Sequence, residues 1–118
     1  MRIAVASDGL EVSKLAGACS SYTCYTVDRG VVTSCQNTPN PCLSAELTAD
    51  YLQKLGVDVL ISQNIEPELK KKLKRRGIEV VTDAKGPAKK AAEDFLVRFF
   101  SGDDGSSRDE DSRTATFA

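Results

Sequence analysis

Gly56-Val57-Asp58-Val59-Leu60-Ile61-Ser62-Gln63-Asn64-Ile65 is the stretch that decides the fold. From Val57 to Ser62 it is almost continuously apolar and rich in β-branched residues, and it is too short for a helix. That is the pattern of a strand buried on both faces, as in a parallel sheet covered by helices. Upstream, Ser44 is a candidate N-cap. Ala45, Ala49, Leu52 and Leu55 follow it as one helical stripe, which Gly56 ends as a C′ glycine. Downstream, Pro67 suits the first turn of a helix whose inner positions are Leu69 and Leu73. Lys74-Arg75-Arg76 favour the C-terminal end of that helix dipole, and Gly77 stops it. Ile78–Thr82 is another strand. Gly86-Pro87 opens a last helix with Ala88, Ala92, Phe95 and Phe99 on its face.

The N-terminal third has a different period. Residues 2–7 read as a first strand that ends at Ser7-Asp8-Gly9, a turn by composition, and residues 9–19 read as a loop. Ser21–Asp28 is rich in β-formers. Alternation puts Tyr22, Cys24 and Thr26 on one face and Thr23, Tyr25 and Val27 on the other. Asp28-Arg29-Gly30 turns the chain into a second strand, Val31–Cys35, giving a β-hairpin. Residues 37–41 contain two prolines and are not expected to extend the sheet. The prediction is an α/β domain over residues 1–101. Parallel strands at 2–7, 57–62 and 78–82 form the centre, joined by right-handed crossovers. The hairpin extends one side to make a mixed five-stranded sheet with about three helices. Residues 102–118 carry five acidic and two basic residues among Gly and Ser. They are expected to be a disordered acidic tail.

The chain has 118 residues, a formal charge of −1 and no histidine. The balance of charge gives no reason to expect nucleic-acid or membrane binding, and no run approaches a membrane span of about 20 apolar residues. The N-terminus turns polar too soon for a signal peptide, so a cytoplasmic location is expected. There the four cysteines, Cys19, Cys24, Cys35 and Cys42, should be free thiols. Four, ten and six residues separate them in turn. No C-x-x-C pair exists, which argues against a zinc ribbon or a thioredoxin-like site. Without imidazole, metal ligation falls to thiolate, carboxylate or backbone.

In open α/β sheets, ligands bind beyond the carboxyl ends of the parallel strands. Three loops should meet there: 8–19, 36–43 and 62–66. Cys19 and Cys42 lie in two of them and are the leading candidate ligands, since soft thiolates suit iron, copper and molybdenum–sulfur centres. Cys35 is a third candidate. Cys24, fixed on a strand, reads better as core filler. Asn64 and Ile65 bring backbone N–H groups near the start of the helix at Pro67, a setting that suits an anion, although Glu66 adds an opposing charge. Lys70–Arg76 is basic but interrupted by Leu73 at the inward position, so it reads as a solvated helix face rather than a nucleic-acid contact. A two-metal nuclease needs clustered carboxylates. Asp8 and Asp83 lie near strand carboxyl ends, but Asp58 is at the opposite end of its strand.

The order of elements, together with particular residues, resembles the dinitrogenase iron–molybdenum cofactor-binding family, which includes nitrogenase cofactor carriers and orange-protein-like relatives. The matching residues are Ile3–Asp8, Val12-Ser13, Gly17-Ala18-Cys19, Tyr25, Gly30, Asn40-Pro41, Gly56–Ile65, Gly77–Val80 and Ala91–Phe95. The resemblance implies a ribonuclease-H-like three-layer fold and a non-enzymatic role: binding, carriage or insertion of an anionic metal–sulfur cluster of Fe–S, Mo–Fe–S or Mo–Cu–S type. It implies cluster donor and acceptor proteins as partners, with the chain a monomer or weak dimer. Three departures fall in the site. Leu15 and Ala16 stand where relatives often carry His-Phe, Cys42-Leu43 replaces a glycine-rich segment, and Glu66 follows Asn64-Ile65 where relatives often have glycine. A protein-interaction or regulatory module of the same fold, without cluster binding, is the alternative those departures allow.

Overall fold

The computed structural model describes residues 1–100; the expected acidic tail lies outside them. Six strands and three helices follow in the order β1 (Arg2–Asp8), β2 (Glu11–Val12), β3 (Ser21–Asp28), β4 (Val31–Pro39), α1 (Ala45–Lys54), β5 (Val59–Ile61), α2 (Pro67–Arg75), β6 (Glu79–Val81) and α3 (Ala88–Phe100). The sheet order is β4-β3-β1-β5-β6, with β2 paired to β1 beside that path. β1, β5 and β6 are parallel; β3 pairs antiparallel with β1, and β4 pairs antiparallel with β3, so β4 again runs in the direction of β1.

Alternation along β1 builds two cores. Ala4 and Ala6 face a cluster with Ala49 and Leu52 of α1, Leu69 and Leu73 of α2, and Tyr22, Cys24 and Leu60 of the sheet. Ile3 and Val5 face the other cluster, with Val59, Ile61, Tyr25 and Ala88, Ala92, Phe95 and Leu96 of α3. The result is three layers: helices on both faces of a mostly parallel centre. β5 is buried along its whole length, as its unbroken apolar run requires.

The helix signals act as expected. The Ser44 side chain accepts a hydrogen bond from Leu47 N at 3.3 Å, and Pro67 occupies the first turn of α2. Three details differ from the expectation. The segment read as a loop contains β2, whose Val12 pairs with Ser7 and so adds a sixth strand. β4 continues past Cys35 to Pro39. An edge strand can hold a proline because one of its sides has no partner to lose. Phe99, placed on the inner stripe of α3, is 40% exposed; Ala91 and Leu96 are buried instead.

Candidate functional site

Ladder register fixes which loops meet. Ser7 pairs with Ser21, and Ser21 with Pro39, so β1 and β4 end at one level. The segments after β1, β4, β5 and β6 therefore gather at one end of the sheet. Backbone bonds tie them together: Ala16 N donates to Asn64 O (3.0 Å), Gln63 N to Ser13 O (3.2 Å), Asp83 N to Gln63 O (2.9 Å) and Asn40 N to Ser20 O (3.0 Å). Asp8 Oδ1 accepts from Ser20 N at 2.9 Å and from Ser20 Oγ at 2.8 Å. Those bonds stabilise the carboxylate and hold its pKa below the ordinary value. Gly17, at φ +92°, admits no side chain easily, because a Cβ there would meet Leu69 Cδ2 at 3.3 Å.

Asn40 joins the two leading cysteines. Its Nδ2 donates to Cys19 O at 2.8 Å and to Gly17 O at 3.0 Å, and lies 3.8 Å from Cys19 Sγ. Its Oδ1 accepts from Cys42 N at 2.9 Å, and Cys42 Sγ lies 3.6 Å from Asn40 O. Cys42 itself sits in the left-handed region, at φ +59°. Its thiol is exposed, whereas Cys19 is buried. Burial above all pushes the Cys19 thiol pKa up, and the Asp8 charge adds to this, so Cys19 is protonated at neutral pH.

Tyr22 is fully buried beside Cys19, and its hydroxyl has no hydrogen-bond partner among the described residues. Burial above all pushes its pKa up, and the neighbouring Cys19 thiol adds to this. A buried, unpaired hydroxyl costs roughly 1–3 kcal/mol.

Cys35 does not join this group. It pairs with Tyr25, on the sheet face opposite Cys24, and lines a separate groove of about 910 Å³ with Tyr25, Asn37, Leu10 and Ala88. Cys24 is buried in the core, as expected. Asn64 is exposed and Ile65 half-buried against the core. The N-cap of α2, Glu66, makes no side-chain capping bond. Among the described residues no group of three or more His, Cys, Asp or Glu side chains is placed to hold a metal ion. The residues that sequence reasoning missed are Asn40 as the bridge and Tyr22 as the orphaned donor. The signals were present in Asn40-Pro41 two residues before Cys42, and in the alternation that put Tyr22 on the face of Cys24.

This is a three-layer α/β domain with a thiol-bearing loop cluster beyond the carboxyl ends of its parallel strands. The chain belongs to the dinitrogenase iron–molybdenum cofactor family, whose sequence profile matches residues 1–98. No curated protein matches it. Among solved structures it is similar to the protein PH0822 at 20% identity, covering 82% of this chain and 89% of that one with a TM-score of 0.76. It is also similar to MJ0327 of Methanocaldococcus jannaschii at 22% identity, covering 82% and 88% with a TM-score of 0.68. The apo form of the orange protein from Desulfovibrio gigas is 26% identical, covering 86% of this chain and 88% of that one at a TM-score of 0.65. No helix of the described residues is long and apolar enough to cross a membrane.

Proposed function

We propose that the chain binds a preformed, anionic metal–sulfur cluster as cargo and passes it to an acceptor protein, with no chemical step of its own. The observation that carries this reading is that Cys19 and Cys42 both contact Asn40, Cys19 at the side-chain amide and Cys42 through its backbone N–H and its thiol, in a member of a cofactor-associated family. Two thiols are too few to close a structural zinc or four-cysteine Fe–S site. They suit a unit that arrives already assembled and keeps most of its own sulfur ligands. Cys19 must lose its proton and become accessible before it ligates, so uptake releases a proton and opens the Asn40 bridge. Slow, gated exchange is what a carrier needs. A reducing, cytoplasmic setting suits this reading, because it keeps the cysteines as thiols able to ligate.

The test is anaerobic incubation of the full chain with a thiomolybdate and copper or iron source, followed by gel filtration, visible absorption and metal analysis. A coloured species that co-elutes with the protein supports the proposal. A colourless, metal-free protein refutes it and favours an interaction module of the same fold.

A further inference from the structure

The two edges of the sheet are built differently. β6 is three residues long and begins with the exposed Glu79, the short, charged form by which natural edges avoid pairing. β4 is nine residues long, is exposed at every position but Thr38, and contains no charged residue, although 28% of the chain is charged. Among the described residues no strand pairs with its outer side.

The outward groups can be assigned. Asn40 N donates to Ser20 O, so by antiparallel alternation the even positions of β4 bond to β3. The backbone N–H and C=O of Cys35 and Asn37 then point outward. Pro39 also faces outward and has no N–H to offer. At the other end the ladder shifts register between Thr26 and Val27, which makes Thr33 the irregular residue. The regular, donor-bearing edge is thus Ser34–Thr38, and its centre is Gln36.

We propose that this edge pairs with the same edge of a second copy, antiparallel, about a twofold axis at Gln36. In that register Cys35 of one copy lies opposite Asn37 of the other, twice, and all four outward N–H and C=O sets are used. Ser34 meets Thr38, and Gln36 meets its equivalent, so only neutral polar side chains face one another. The contact is isologous and closes at two. A single strand pair buries less than the ~1,200 Å² of stable interfaces, so the dimer is concentration-dependent.

Sedimentation velocity of the reduced full chain, from micromolar to millimolar, reads this directly. The parent should shift from monomer to dimer. Gln36→Lys and Gln36→Glu should each stay monomeric, because like charges then stand across the axis. An equimolar mixture of the two should dimerise at least as tightly as the parent. Circular dichroism confirms that both variants fold. A parent that stays monomeric, whether its edge is free or serves another protein, overturns the proposal. So does either variant that self-associates like the parent, or a mixture that remains monomeric.

Discussion

The β3–β4 hairpin has one fully covered face and one partly open face, and they treat its two cysteines in opposite ways. On the covered face Tyr22 and Cys24 are packed under α1 and α2. On the other face Tyr25 is buried against α3, but its pair Cys35 is exposed at the rim of a groove. Both faces come from one alternating sequence. What separates them is where the crossover helices fall: two lie on one side of the sheet, while on the other α3 packs over Tyr25 and Val27 of β3 and leaves Cys35 of β4 exposed. Thiol chemistry in this protein is therefore set by the layer a cysteine meets.

A matched pair of substitutions probes that difference most strongly. Cys24→Ser places a hydroxyl in the covered core and should cost about 1–3 kcal/mol. Cys35→Ser, on the open face, should stay within about 0.5 kcal/mol. Urea denaturation of both variants checks this, and equal losses would mean the open face is covered in solution. A smaller effect of opposite sign follows from Tyr22. Tyr22→Phe removes the orphaned hydroxyl and should stabilise the fold by about 1 kcal/mol. A loss instead would show that the hydroxyl has a partner.

The covered face should also respond to alkali. Burial raises the pKa values of Cys19, Cys24 and Tyr22. The unfolded chain therefore releases these protons at lower pH than the folded chain does. Stability is full below the ordinary thiol value of 9.0 and falls as pH rises above it. Cys24→Ala should flatten that slope in melting curves taken across the range. The smallest effect is acidic. A hydrogen bond from Arg76, helped by Lys72, lowers the Glu46 pKa to about 2. Its contribution is present above the ordinary value of 4.5 and is lost as pH falls through about 2. Because the pair is exposed, salt should erase the difference between the parent and Glu46→Gln in the same melts.

Much of the fold was legible because its signals are local. The apolar run 57–62, the Ser44 cap, Pro67 and the glycines at 56 and 77 each act within a few residues. β2 was not legible, since two residues carry no period and Val12 is held by Ser7 across the turn. β4 ran on past Cys35 because Pro39 lies at an edge, a position set by the sheet as a whole. At the site, loop membership pointed to Cys19 and Cys42, but not to their unequal burial. Cys19 looks like a surface-loop residue until α1 and β3 close over it. Cys35 was misgrouped for the same reason: its face depends on the hairpin's place in the sheet, which spacing between cysteines does not encode.

Cluster retention by single cysteine variants tests the central claim most directly. After anaerobic reconstitution and gel filtration, metal and visible absorption are compared among the parent, Cys19→Ser, Cys42→Ser and Cys35→Ser. Cys19→Ser and Cys42→Ser should each weaken retention at least tenfold, about 1.4 kcal/mol, while Cys35→Ser retains the parent's level. A Cys19→Ser/Cys42→Ser double variant that holds as much metal as the parent would contradict ligation by the two thiols that flank Asn40.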